Sequence, residues 1–346
     1  MSELAEFSVG YQVMPEEDEF FWKIVADYRE SVTEVYFAWP SQPSGRAPVA
    51  EEHQEQLLWE LQRLRRLGVR LNLLLNASCY GEKAVSVSFS REVVALMDFL
   101  MEKVGLEVVT TMSPLVASTV KKHFPRVSRR ASVNLRIGTV AGLEYVADFF
   151  ESYCLQREFN RDRGRLFQLQ EWARSEGKEL QILANSGCLN FCSFQTFHDN
   201  AVAHEKEMKG IDSVQDLPTL CRHFYRDETH RLKFIQNSSW IRPEDIHLHQ
   251  QVFSGSYKLA TRMHGHPRLV LAAYSQGHYE GNLLDLLEPG FSQEWWPLIL
   301  DNKRFPQEWF PRVLACDKKC QQCQYCRGLT SQVLVALNPE GADRES

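Results

Sequence analysis

Six of the nine cysteines in this 346-residue chain crowd into two short stretches, a pattern that in a reducing cell interior points to metal binding rather than to disulfides. In the first, NSGCLNFCSFQTFHDN, three residues separate Cys188 from Cys192, and His198 follows six further on. At that spacing a helix or tight turn aims both sulfurs at one metal, while two buried thiols at an apolar helix start fit the same pattern. In the second, CDKKCQQCQYC, the residues between Cys316, Cys320, Cys323 and Cys326 are Asp, Lys, Gln and Tyr, so these thiols cannot all be core. Zinc sites of four cysteines usually join two distant C-x2-C knuckles, whereas a continuous run with two-residue gaps is the form of the loops that wrap a cubane. The spacing favours a [4Fe–4S] cluster, with zinc as the alternative at these four positions. Cys221, in PTLCRHFYRD, is the preferred third ligand for the 188/192 pair and Cys79 the candidate fourth, while Cys154 reads as core. One cluster is expected, or two if the pair and the run serve separate sites.

Such side chains need a scaffold. Short β-branched runs alternate with amphipathic helical stretches, the sequence form of repeated βα units around a parallel sheet. Eight runs stand out: VTEVYFAW from Val32, VRLNLLLN from Val69, LEVVTT from Leu106, RRASVNL from Arg129, CLQREFN from Cys154, ELQILAN from Glu179, KFIQNS from Lys233 and SYKLAT from Ser256. Between the first two, Leu57, Leu58, Leu61, Leu64 and Leu67 recur at helical spacing. Eight units predict a closed α/β barrel of the TIM (β/α)8 type over residues 1–290, with an insertion at about 186–232 after the sixth strand. Residues 291–346 are Trp- and Pro-rich, then Cys-rich, and are expected to pack on the barrel as a C-terminal extension ending in a disordered NPEGADRES. Trp295, Trp296 and Trp309 are expected to pack there as core, with an interface or a lid as the other roles.

Barrel chemistry sits at the C-terminal ends of the strands. The residues just after the runs are polar and amide-rich: Asn76, Ser113, Asn134, Asn160, Arg161, Asp162, Asn185, Ser186, Asn237 and Arg262. Helix capping accounts for any one of them, but several amides on one rim also suit a polar small molecule, and Cys188 falls on the same rim. The candidate catalytic residues are His198 as general acid or base, Arg262 as a bidentate carboxylate clamp, and the amides of Asn160 and Asn185. Arg161, Arg136 and Lys258 are alternatives to Arg262, each equally able to form an outward salt bridge. For hydrolysis the signals are thinner. No H-E-x-x-H helix and no G-x-S-x-G turn occurs, and the pairs His247/His249 and His264/His266 are weak zinc candidates.

Composition sets limits on the rest. Hydrophobic residues at 44% and charged residues at 24% are those of an ordinary globular protein, which excludes disorder, collagen-like repeats and simple coiled coil. A net charge of −6 gives no global attraction to nucleic acid or anionic lipid, so nucleic acid is neither excluded nor favoured as a partner. No apolar stretch approaches ~18 residues and the first residues lack a signal-peptide pattern, so a cytoplasmic protein with no membrane partner is expected. Its expected partner is a small-molecule or peptide substrate.

Several phrases together resemble a known family: ILANSGCLNFCSFQTFH, ASVNLRIGTVAGLEYV followed by EFNRD, IRPEDIHLHQQVFSGSYKLATR and the terminal CQQCQYC. They are similar to the collagenase-like peptidases of unassigned catalytic type, the U32 family, from roughly residue 30 to residue 330. The resemblance implies a barrel and, by the family's name, peptidase activity. Its cluster-bearing members imply instead four cysteines around [4Fe–4S] and oxygen-independent hydroxylation of ubiquinone precursors, tRNA or rRNA, with prephenate as hydroxyl source in some. It also implies a homologous partner subunit, and with it the alternative of a non-catalytic Fe–S subunit. This chain departs from the better-known pattern, S-G-R-C followed by N-R-G-C-x-x-x-C-R: Cys188 and Cys192 sit in a shorter arrangement, and NRDRG at Asn160 lacks cysteine. The family's ligand set is therefore not carried over whole.

Overall fold

Eight parallel strands close into a TIM-type barrel in a computed structural model of the chain, which describes residues 4–14, 19–42, 44–46, 49–205 and 220–337. The strands are β1 (Phe7–Gly10), β2 (Val32–Ala38), β3 (Arg70–Leu75), β4 (Val108–Thr111), β5 (Ser128–Ala131), β6 (Ser152–Cys154), β7 (Glu179–Leu183) and β8 (Ser256–Leu259). They lie in sequence order, and β8 closes on β1 with Lys258 opposite Ser8. Helices α1 (Phe21–Asp27), α2 (Gln54–Arg66), α3 (Val87–Lys103), α4 (Pro114–His123), α5 (Val140–Glu144), α6 (Arg163–Ser175), α7 (Gln195–Ala203) and α8 (Pro267–Gln276) follow their strands. Starts are set locally: Ser86 and Ser113 each accept a hydrogen bond from a first-turn amide, of Phe89 and Val116. In α2 the buried face is Leu57, Leu61 and Leu64 at i, i+4, i+7, as the leucine spacing predicts.

The strand count of eight holds, but one member is exchanged for another. FSVG at Phe7–Gly10 is a strand that the sequence reading did not count, because four residues carry too little alternation to stand out. KFIQNS is not a strand: Phe234–Asn237 is a short helix, and adjacent Phe234 and Ile235 are both buried, Phe234 against Tyr225, Phe291 and Trp295. A short apolar run has no period with which to separate the two conformations. The insertion at about 186–232 consequently follows the seventh strand, not the sixth, and its residues 206–219 lie outside the described residues. CLQREFN overlaps β6 only at Cys154, which ends the strand rather than opening it.

Alternation along the strands splits the barrel into two environments. Val35, Leu71, Leu73, Val109, Tyr153, Ile182 and Tyr257 belong to the apolar core. The opposite set points inward and is polar. Glu34 is fully buried there and accepts hydrogen bonds from Ser8 Oγ (2.7 Å), Asn72 Nδ2 (2.9 Å) and both terminal nitrogens of Arg130. Thr110 donates to Asn72 (2.9 Å) and Arg130 Nε to Ser152 (3.1 Å), so six strands meet in one network. A barrel usually fills this space with branched aliphatics. Here the polar floor lies beneath the mouth.

Past the barrel, β9 (Leu298–Leu300) and β10 (Leu334–Ala336) pair antiparallel, with α9 (Trp309–Leu314) and α10 (Tyr325–Val333) between them. Trp309 is buried, lies tilted against Trp240 (ring centres 5.7 Å apart) and donates Nε1–H to Asp245 (2.9 Å), whose carboxylate also takes a bidentate pair from Arg242. Trp295 is buried too, while Trp296 is 65% exposed. The terminal NPEGADRES lies outside the described residues. Among the described residues no helix is long and apolar enough to cross a membrane.

Candidate active site

The cavity at the C-terminal mouth of the barrel is formed by strand ends, the turn after β7, the start of α7 and a segment near residue 288. Amide chemistry holds these pieces in place. Asn185 Nδ2 donates to Ala260 O (3.2 Å) and Leu286 O (2.9 Å), and its Oδ1 accepts from Ala260 N (2.7 Å). The main chain adds Glu288 N to Asn185 O (3.0 Å) and Gly187 N to Glu288 O (3.2 Å). A Cβ on Gly187 would lie 2.3 Å from Pro289 O, so only glycine lets the two segments approach this closely. One consequence is that Cys188 and Glu288 both reach the cavity wall. Asn185 is therefore a positioning residue and does not itself line the cavity.

Asn160 stands back in the same way. Its Nδ2 donates to Leu183 O (2.7 Å), its main-chain carbonyl accepts from His249 Nε2 (2.8 Å), and its buried Oδ1 has no partner among the described residues. Because a carbonyl only accepts, the His249 proton is on Nε2, and Nδ1 must accept from Tyr257 Oη (3.0 Å). Burial holds His249 down at about 4. His249 is thus a neutral core residue, not a metal ligand.

On the wall of this cavity, of about 270 Å3, are Cys188, Cys192, Cys221, His198, Arg262 and Lys258, all singled out by the sequence, together with Asn76 and Asn134. Sequence reasoning missed Arg46, Arg157, Asp199, Arg222 and Glu288. Arg157 was within reach, since it closely follows β6. Arg46 lies deep in the loop after β2, and Glu288 arrives from beyond the barrel, so neither has a strand-end signal. Five Lys or Arg side chains face two carboxylates. Arg222 pairs with Glu294, and Arg46 lies 3.8 Å from Glu288. Buried Arg157 Nε has no partner among the described residues. Burial pulls Arg262 down to about 10 against the opposing pull of Tyr36, and pushes the Glu288 carboxyl up against Arg46 and Arg222. His198 is lowered by burial and then by Arg46. The surplus is cationic and enclosed, which suits an anion of small size.

The other candidates lie elsewhere. Cys79 follows β3 without lining the cavity and accepts from Gly81 N (3.4 Å). Cys154 is buried inside the barrel, where desolvation pushes its thiol up. Arg136 pairs with Asp199 (3.5 Å). Arg161 packs against the tail: its guanidinium sits 5.5 Å from Trp240 and 5.4 Å from Trp309 and donates to Ile235 O (2.9 Å), and its buried Nη1 has no partner among the described residues. Burial draws Arg161 to about 10 while Cys326, Cys316 and Cys320 oppose the shift. The tail thiols thus form a second group, apart from the mouth. Among the described residues no three His, Cys, Asp or Glu side chains are gathered as metal ligands at either place.

No protein-family model matches the chain. An uncharacterized protease of Methanocaldococcus jannaschii is 23% identical over 323 residues, covering 90% of this chain and 92% of that protein. The U32 peptidase Mk0906 has a similar fold, with a TM-score of 0.53 at 11% identity over 75% of this chain and 94% of its own. The chain resembles the U32 peptidases. In this U32-like barrel the phrase ILANSGCLNFC runs out of β7 into the mouth, and EFNRD follows β6. The first of these phrases supplies Leu183, Ser186, Cys188, Leu189 and Cys192 to the cavity wall, while EFNRD stands behind it.

Proposed function

We propose that the protein is an enzyme that converts a small anionic substrate at the barrel mouth beside a thiolate-held [4Fe–4S] cluster, by oxygen-independent hydroxylation or a related redox reaction. The observation that supports this most is one cavity that collects Cys188, Cys192 and Cys221 with Arg157, Arg262 and Lys258. Cluster ligands are thiolates, and Arg157, raised by Cys188 and then by Glu158 against its desolvation, offsets their charge. The fit is one of donor type and shared cavity rather than of a preformed cage. Cys188, Cys192 and Cys221 would hold the cluster. Such a group supplies one-electron steps and, at an open iron, a Lewis-acid site for an oxygen donor. The chain's own residues do the rest: Arg262 and Arg157 hold the substrate's anionic group, neutral His198 accepts a proton, and the raised Glu288 carboxyl returns one. The tail thiols Cys316, Cys320, Cys323 and Cys326 would form a second centre, iron–sulfur or zinc, against Arg161. A cytoplasmic location and a homologous partner subunit accompany this reading.

Peptide hydrolysis is the second reading, favoured by the names of the two relatives. It would use a thiol at 188 or 192 as nucleophile and His198 as base, all on the cavity wall. Anaerobic purification separates the two. The redox reading predicts brown protein with a broad shoulder near ~400 nm. Colourless protein with stoichiometric zinc and no iron would overturn it, and cleavage of a peptide by iron-free protein would establish hydrolysis.

A further inference from the structure

Lys258 is the cavity residue whose surroundings an anion site alone does not explain. In β8 its neighbours Tyr257 and Leu259 pack outward into the apolar core, which turns Lys258 inward, beside Leu183 of β7 and Ser8 of β1. Its Nζ lies 4.0 Å from the centre of the Tyr36 ring and opens on the cavity. Tyr36 is itself fixed, donating Oη–H to Leu259 O at 2.7 Å. Among the described residues no carboxylate pairs with this ammonium and no hydrogen-bond acceptor reaches it. The nearest interior acid, Glu34, is committed to Arg130, Asn72 and Ser8. Burial lowers the Lys258 ammonium, with Arg130 and Arg262 pushing the same way against Cys154 and Glu34. Enclosed lysines without a counter-ion are the ones that act as amines.

We propose that Lys258 is a catalytic amine that forms an imine with the carbonyl of a small 2-oxo acid, whose carboxylate Arg262 and Arg157 hold. The Nζ lone pair adds to the carbonyl carbon as the C=O π pair moves to oxygen, and the proton that the nitrogen then releases passes to that oxygen, giving a neutral carbinolamine. The C–O bond then breaks as the nitrogen lone pair forms C=N, and the hydroxyl leaves as water with a proton from Glu288, while the nitrogen proton returns to that carboxylate. No oxidant or reductant is consumed. The inference deepens the proposed reading of the mouth as an anion site and rests on it, but it needs neither iron nor turnover to be tested.

The test uses the full chain with pyruvate or phenylpyruvate and cyanoborohydride, which reduces an imine to a stable amine, with acetate and phenylacetate as ligands lacking the carbonyl. Intact mass and peptide mapping give the adduct, and titration calorimetry gives binding. The expected result is one reduced adduct per chain, mapped to Lys258, absent with acetate or phenylacetate and absent in Lys258→Arg, which keeps the charge. Mapping the wild-type adduct decides the matter even where that variant folds poorly. Oxo-acid binding without an adduct, or an adduct on another lysine, overturns the imine and leaves the anion site standing. If none of the four carboxylates binds, both are overturned.

Discussion

Replacing Glu34 by Gln tests whether the barrel floor is held by charge. Glu34 and Arg130 are both buried, and the carboxylate is the acceptor for both terminal nitrogens of Arg130 as well as for Asn72 and Ser8. Glutamine keeps the shape but leaves the guanidinium buried without a counter-ion, a defect that costs about 3–5 kcal/mol. An unfolding entropy of about 2.1 cal/mol/K per residue over 346 residues gives roughly 0.7 kcal/mol per degree, so the melting temperature should fall by about 4–7 °C. The pH arm has a definite sign. Desolvation pushes Glu34 up, but Arg130, Asn72 and Arg70 outweigh it and hold the carboxyl at about 2, below its ordinary 4.5. A depressed acid contributes stability above its unfolded pKa and loses it as pH falls toward the folded one. The gap between wild type and Glu34→Gln should therefore be full at pH 7, begin to close below pH 4.5 and be smallest near pH 2, by about 3 kcal/mol at ~1.4 kcal/mol per unit. Calorimetric melting of both proteins across that range measures it. A melting temperature within about 1 °C of wild type at pH 7, or a gap that does not change with pH, would refute the reasoning.

Three further outcomes follow from named contacts. Arg262→Met should weaken phenylpyruvate binding about 10- to 150-fold, the ~1.5–3 kcal/mol of a charge-assisted hydrogen bond, with unchanged thermal stability as the control; unaltered affinity in titration calorimetry contradicts the clamp. His249→Phe should abolish a stability increment that the wild type holds above pH 6.5 and loses as pH falls toward about 4, since the buried ring must stay neutral; melting curves at pH 4 and pH 7 show it, and parallel curves contradict it. Gly187→Ala should lower stability by about 1–3 kcal/mol, because the added Cβ meets a backbone oxygen 2.3 Å away; a neutral denaturant midpoint contradicts the contact.

Much of the scaffold was legible because its helices and longer strands repeat their apolar residues at the right period. The leucines of α2 bury the face their spacing predicts, and the run at Val69 is the strand Arg70–Leu75. Phe7–Gly10 and Phe234–Asn237 escaped because four residues carry no period, and their neighbours in space decide their conformation. At the mouth, the phrase holding Cys188, Cys192 and His198 does line one cavity, and the strand-end rule found Arg262, with Lys258 as an alternative on the same strand. Asn160 and Asn185 satisfied the same rule yet bond to the backbone, which sequence cannot distinguish from facing a ligand. Glu288 and Arg46 come from segments with no strand to announce them.

The central claim is that the thiols of the barrel mouth hold an iron–sulfur cluster, and the most direct measurement is the iron and acid-labile sulfide of anaerobically purified Cys188→Ala/Cys192→Ala protein beside wild type. The account predicts that the variant stays folded and loses about four irons and four sulfides per chain, the content of one cubane. Full retention of iron in the folded variant, or wild-type protein that carries none, would contradict it.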